Sequence, residues 1–418
     1  MVIPDGTSRE ISAILDRALD QQLLSVDDAA ALLTATGRDF VATCLVADEL
    51  RRRAVGDVVT YVVNRNINFT NVCIKRCGFC AFSRDHRQEA GYLLPDREIV
   101  RRAKEAWDLG ATEVCIQAGL PPKMDGWLYV NLCKTLKKAL PELHIHGFST
   151  EDVLYGATRS RVGIREYLQA LKEAGVGSLP GTSAEILVQD VRDRIARGRI
   201  TVDQWLEVIR GAHELGIPTT STIMFGHVES ALDDARHLAL IRDIQRETGG
   251  FTEFVPLGFV YWEAPMYHLQ TVEGVRQGPS GREVVAMHAV SRIMLNPYIK
   301  NIQVSWVKEG PKLSQLCLDA GANDLGGTLI NESISTSAGA SYGQLVRPAE
   351  FRKMIRDAGR APAERHTTYE VRKLFADGED PIEPLDEVTD VDQRFGSYLK
   401  LTQSPEFRYA EAGTGSAD

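Results

Sequence analysis

The chain lacks any excess of positive charge. Its 48 Lys and Arg stand against 57 Asp and Glu, a formal net charge of −9. A general nucleic-acid binder carries the opposite balance, so that class is set aside. No uninterrupted apolar run reaches the roughly 18 residues that span a bilayer, so no membrane span is expected. The opening Met-Val-Ile-Pro-Asp-Gly lacks a basic stretch followed by an apolar one. No secretory signal is therefore expected, and the expected compartment is the cytoplasm. With 35 Gly and 17 Pro in 418 residues, the chain lacks the bias of a collagenous or disordered sequence. Cysteine is scarce and odd in number, at seven, which makes a poor disulfide framework.

What is there falls into segments. Residues 1–58 read as a helical extension: Ile11, Ile14, Leu15, Ala18 and Leu19 form one stripe, and Ser25 with Asp28 forms a capping box. Over 59–345, β-branched stretches alternate with amphipathic ones. Candidate strands are 61–71, 112–117, 143–148, 177–179, 219–225, 253–257 and 301–305. Gly110, Gly175, Gly216 and Gly321 each close a helical stripe just before an extended stretch, as left-handed C-caps do. Such alternation predicts a parallel sheet covered by helices, a (β/α)8 barrel of the TIM type first and a doubly wound sheet second. Residues 346–402 are expected to form a helical segment packed on the barrel, and 403–418 a flexible tail.

Three of the seven cysteines, Cys73, Cys77 and Cys80, fall within one C-x3-C-x2-C run after the first candidate strand. Barrel enzymes keep their active-site loops at that end of the strands. Three soft thiolates on one short loop can hold three irons of a 4Fe–4S cluster and leave the fourth open. Zinc with His86 as fourth ligand is the competing metal. Three reduced cysteines packed as small hydrophobes are the bland reading, although Lys75, Arg76 and Gly78 make the loop polar for a core segment.

Cys-x3-Cys-x-aromatic-Cys after the first strand of a β/α barrel resembles the radical S-adenosylmethionine (SAM) enzymes. The resemblance implies that the open iron chelates the methionine part of SAM and that reduction cleaves SAM to a 5′-deoxyadenosyl radical. It places Phe79 near the adenine. It gives Gln117, Ala118 and Gly119 as the segment meeting the SAM amino group, and Gly226 with Glu229 as an adenine-supporting motif, with Thr222 and Met224 departing from the usual residues.

A narrower resemblance rests on 68–82, 113–120, 144–149, 178–187, 224–229, 249–257, 301–308 and 321–329. Together these resemble the deazaflavin (Fo) synthase group, in its second subunit, over roughly residues 55 to 375. The implied reaction is transfer of the 4-hydroxybenzyl fragment of L-tyrosine to 5-amino-6-(D-ribitylamino)uracil in coenzyme F-420 biosynthesis. An electron donor such as flavodoxin or ferredoxin, and functional pairing with Fo synthase subunit 1, are implied with it. Two futalosine-pathway menaquinone enzymes share this architecture and remain the alternative within enzymes. A metal-stabilised binding protein without turnover is the alternative from another class.

Glu185, after a candidate strand, suits a ligand for ribose hydroxyls with Ser183 helping, or else an ordinary helix N-terminal charge. His144 and His146 alternate, so they share a face and bind substrate if that face is the barrel interior; satisfied core histidines are the other reading. Asn323 and Asp324 precede Gly326-Gly327, where a ligand can approach closely, or they cap a loop. Trp306 and Lys308 are read as either functional or structural. Tyr261 stands where the family usually has His, which bears on the identity of the substrate and leaves SAM chemistry untouched.

Overall fold

The computed structural model describes residues 3–88 and 90–409. Two short strands, β1 (Val58–Val62) and β2 (Asn64–Ile67), open the sheet as successive parts of one extended run. β3 (Glu113–Ile116), β4 (His144–Gly147), β5 (Thr219–Phe225) and β6 (Phe251–Gly258) follow at the predicted places. β2, β3 and β4 pair in parallel in that order, as do β5 and β6.

Single parallel bridges link these groups. His146 bridges to Ser178 and Leu179 to Thr219; Phe254 bridges to Ile302 and Gln303 to Asp324. The predicted strands 177–179 and 301–305 therefore occupy strand positions but are too short to ladder. Pro180 removes the next donor in the first, and the second turns at once into the helix Trp306–Leu318. β7 (Asp324–Gly327) pairs in parallel with β1. These four residues read as a loop in the sequence because glycine disfavours strands. Gly327 is needed there, since an added Cβ would lie 2.2 Å from Asn64 Oδ1.

The segment expected to be helical holds the helix Pro348–Asp357 but also a strand pair. β8 (Ala361–Arg365) pairs in parallel with β1, and β9 (Val371–Leu374) runs antiparallel to β8. Ala-Pro-Ala-Glu-Arg carries little strand propensity, and its burial beside β1 decides the conformation. Of the segment expected as a flexible tail, 410–418 lies outside the described residues. Before it, Phe407 accepts from the Leu93 amide (2.8 Å) and the Tyr409 amide donates to Gly91 (2.9 Å).

The helical joints form as predicted. Gly110, Gly175, Gly216 and Gly321 all have positive φ, from 70 to 98°. Ser25 and Asp28 form their capping box, as do Thr201 and Gln204. The N-terminal helix Gly37–Val55 packs on Gly281–Leu295, outside the strands. Among the described residues no single helix is long and apolar enough to cross a membrane.

Candidate active site

The cysteine loop leaves the carboxyl end of β2. It is pinned along its length by backbone bonds to other segments. The Cys73 amide donates to Arg84 (3.0 Å), Ile74 to Leu120 (2.8 Å) and Gly78 to Ile195 (2.7 Å). The Gly78 carbonyl accepts from Met266 (2.7 Å). A Cβ on Gly78 would lie 2.9 Å from Met266 Cβ, so this crossing requires glycine.

Cys73, Cys77 and Cys80 form one wall of a cavity of about 230 Å³. Burial pushes the Cys77 thiol up to about 12 and raises that of Cys73. Thiolates here require a cation to replace the proton, which suits metal ligands. Among the described residues, no three His, Cys, Asp or Glu side chains converge as ligands of one ion do. A cuboidal cluster binds each thiolate on a separate iron and does not ask for such convergence.

The facing wall centres on Arg199, which the sequence reading missed. Its Nη2 lies 2.8 Å from Ser183 Oγ and 3.2 Å from Glu185 Oε1, and its Nη1 lies 3.4 Å from Cys77 Sγ. Its guanidinium sits over the Phe79 ring at 5.4 Å. Although burial disfavours its charge, Glu185, Cys77 and Glu151 hold its pKa well above the ordinary value. Lys75 adds an ion pair to Glu151 at 3.0 Å. Nothing in Arg-Gly-Arg-Ile marks Arg199 as special; its partners come from two separate loops and the first turn of the helix Thr150–Ser160. Ser183 and Glu185 both have positive φ, 77° and 38°; the turn brings Glu185 to the cavity, while Ser183 is fully buried beside Arg199 and lines neither cavity. Glu185 lines the cavity; its Oε2 is buried, makes no hydrogen bond and lies 3.7 Å from Arg192 Nη1.

Gln117, Ala118 and Gly119 also line this cavity. The Gly119 amide donates to Thr70 (2.8 Å), and a Cβ there would lie 2.3 Å from the Val72 carbonyl oxygen. Gly119 thus lets this loop pass directly beneath the residue before Cys73. Gly226 and Glu229 are not among the cavity-lining residues. The Glu229 carboxylate accepts from the Gly226 and His227 amides and pairs with Arg276 at 2.8 Å. Burial opposes its charge, but His227 and these amides outweigh it and hold Glu229 down at about 2.

A second cavity of about 230 Å³ lies among the strands and shares Gln117, Thr182, Thr222, Leu257, Lys308 and Ile334 with the first. His146 lines it and His144 does not. Both rings meet one hydroxyl: Ser178 Oγ lies 2.8 Å from His144 Nε2 and 2.7 Å from His146 Nδ1. Burial lowers both, His144 to about 4, so both rings are neutral near pH 7.

Asn323 and Asp324 line neither cavity. Asn323 Oδ1 accepts from Arg292 (2.7 Å) and from the Ile302 amide (2.9 Å). Asp324 takes Arg365 in a two-pronged pair, 2.6 Å to Nε and 3.0 Å to Nη2, and also accepts from Thr60. It is Arg365 that reaches the second cavity. Tyr261 lines neither chamber; it stacks on Trp262 at 4.5 Å in a surface cleft that shares Gly258, Phe259, Val260 and Lys308 with the first cavity.

The thiol triad after the first strand, with an anionic and a cationic group facing it across a β/α fold, defines a radical SAM enzyme. Residues 67–241 match the radical SAM superfamily, and 248–377 match the CofH/MqnC C-terminal region. The chain is 48% identical over 351 residues to the 5-amino-6-(D-ribitylamino)uracil–L-tyrosine 4-hydroxyphenyl transferase of Methanopyrus kandleri, covering 84% of this chain and 94% of the relative. It is 49% identical to the enzyme of the same name from Methanocaldococcus jannaschii, over 78% of this chain and 90% of that one. It is also 45% identical to the FO synthase of Streptomyces coelicolor, over 88% of this chain but 42% of that longer protein. The chain belongs to the radical SAM family of 5-amino-6-(D-ribitylamino)uracil–L-tyrosine 4-hydroxyphenyl transferases. The fold is shared with the FeFe-hydrogenase maturase HydG from Carboxydothermus hydrogenoformans (TM-score 0.66, 17% identity, 86% of this chain and 80% of that one). It is shared too with methylornithine synthase PylB (TM-score 0.61, 20% identity, 83% and 95%).

Proposed function

We propose that this protein cleaves L-tyrosine between Cα and Cβ and transfers the 4-hydroxybenzyl fragment to 5-amino-6-(D-ribitylamino)uracil, in the making of deazaflavin. The observation that carries this reading is the pair of adjoining cavities. One has thiols facing an Arg–Glu pair, and the other is polar and set among the strands. Cys73, Cys77 and Cys80 would hold a 4Fe–4S cluster. When bound, the cluster and SAM together supply reductive cleavage of SAM and abstraction of a hydrogen atom from tyrosine.

The remaining work falls to the chain. Glu185, whose Oε2 makes no hydrogen bond within the protein, takes the ribose hydroxyls, and Arg199 and Arg192 hold Glu185 in place. Phe79 provides an apolar face. In the second cavity His146 and Arg365 present a neutral ring and a fixed cation to the flat, polar uracil, and Asp324 positions Arg365. An electron donor of the flavodoxin or ferredoxin kind supplies the electron. Fo synthase subunit 1 takes the product onward, a pairing supported by the longer FO synthase relative.

Reduced enzyme incubated anaerobically with SAM, tyrosine and the ribitylaminouracil is expected to yield deoxyadenosine, glyoxylate and the hydroxybenzyl–uracil adduct together. Deoxyadenosine without the adduct, or turnover of a futalosine precursor in its place, overturns the substrate assignment. Glu185→Gln keeps the shape but removes the charge. A charge-assisted hydrogen bond contributes about 1.5–3 kcal/mol, so SAM affinity is expected to fall by roughly one to two decades. The cluster spectrum is expected to stay intact in the same sample. Calorimetric titration with SAM that shows no change rules out the ribose role.

A further inference from the structure

Four cations line the two chambers: Lys75, Arg199, Lys308 and Arg365. Three are already paired with carboxylates, Lys75 with Glu151 at 3.0 Å, Arg199 with Glu185 at 3.2 Å and Arg365 with Asp324 at 2.6 Å. Among the described residues, Lys308 has no carboxylate within ion-pair distance. Its Nζ donates to the Ser335 hydroxyl at 2.9 Å, leaving two of its three donors for a ligand.

Its position is as distinctive as its pairing. Lys308 lines the cluster chamber, the strand chamber and the surface cleft beside Tyr261, and no other described residue lines all three. The nearest acidic groups are committed elsewhere. Glu332 accepts from the Ile334 and Ser335 amides at 2.9 Å, and Glu309 accepts from the Gly258 amide at 3.1 Å. The backbone before the lysine is fixed, because Trp306 Nε1 donates to the Gly327 carbonyl at 2.9 Å. A half-buried ammonium with open donors, held at the join of two cavities, is a receptor for a small anion.

We propose that Lys308 binds the α-carboxylate of the amino-acid substrate and so seats that substrate across the join between the chambers. This rests on tyrosine being the substrate. The carboxylate at Lys308 leaves the amino group and Cα on the side of the cysteine wall, and the side chain free to reach a second substrate among the strands. Arg365 is a poorer receptor, because Asp324 occupies its Nε–Nη2 edge and its Nη1 donates to the His366 carbonyl at 3.2 Å.

The test compares L-tyrosine with tyramine, which lacks only the carboxylate, by equilibrium binding to cluster-loaded, unreduced enzyme in the presence of SAM. Wild-type enzyme is expected to prefer tyrosine by roughly ten- to a hundredfold, the range of one charge-assisted hydrogen bond. Lys308→Met is expected to erase that preference by weakening tyrosine and sparing tyramine, with SAM affinity unchanged. Lys308→Arg, which keeps the charge, is expected to restore part of the preference. A preference that survives in Lys308→Met overturns the proposal, as does a loss of SAM affinity that leaves tyrosine against tyramine untouched. If wild-type enzyme forms no adduct from tyrosine, the substrate reading fails separately, and it does so without any Lys308 variant.

Discussion

Cys77→Ala is expected to abolish both the absorbance of a reduced iron–sulfur cluster and the reductive cleavage of SAM, bringing deoxyadenosine release to background. The effect should be complete because no other thiol is at hand: Cys115, the next cysteine along the chain, lies on β3 and lines the second cavity rather than the first. Cys73→Ala and Cys80→Ala are expected to behave alike. The fold should survive, since a thiol-to-methyl exchange removes one heavy atom at a cavity wall and breaks no strand pairing. Iron analysis and circular dichroism on the same samples separate loss of cluster from loss of fold. A triple-alanine protein that still cleaves SAM on reduction would end the radical SAM reading of this loop.

Asp324→Ala is expected to be the most destabilising single change on the strand side of the site. The Asp324 side chain is fully buried and that of Arg365 is 3% exposed, so removing the carboxylate leaves a guanidinium in the interior with Glu253 at 3.6 Å as its remaining acidic neighbour. Breaking one half of a buried pair typically costs about 3–5 kcal/mol. Replacing both partners with apolar residues of similar size should cost much less than the sum of the two single changes. Urea unfolding of the two single variants and the double variant gives the comparison. A single variant within about 0.5 kcal/mol of wild type would show that Asp324 does not hold Arg365.

Some of the site was legible because its chemistry is local. Three cysteines in eight residues announce a shared ligand whatever the rest of the chain does. The glycine C-caps and the Ser25 capping box are local too, and they marked where helices begin and end. The period of two placed His144 and His146 on one face, and both meet Ser178. That same period could not say where the cavity stops, and it stops between them. Arg199 was illegible because its role exists only when the turn at 183–185, the cysteine loop and Glu151 come together. Asn323 and Asp324 were read, from their place before two glycines, as either ligand-binding or loop-capping. Their partners Arg292 and Arg365 lie 31 and 41 residues away, and they draw both side chains into the framework. β7 and β8 were missed because burial beside β1 overrides the weak strand propensity of glycine and proline.

The crossing at Gly78 bears on how the holoenzyme is put together. Its amide is tied to Ile195 and its carbonyl to Met266, so the ligand loop is a three-way joint between distant parts of the chain. Opening it breaks both ties and leaves an unmatched carbonyl on one neighbour and an unmatched amide on the other. The segment that follows Ile195 carries Arg199, so access to the thiols and integrity of the wall facing them are thermodynamically linked. The same two backbone bonds thus tie the thiol loop to the wall that carries Arg199, and a change at Gly78 is felt on both sides of the chamber.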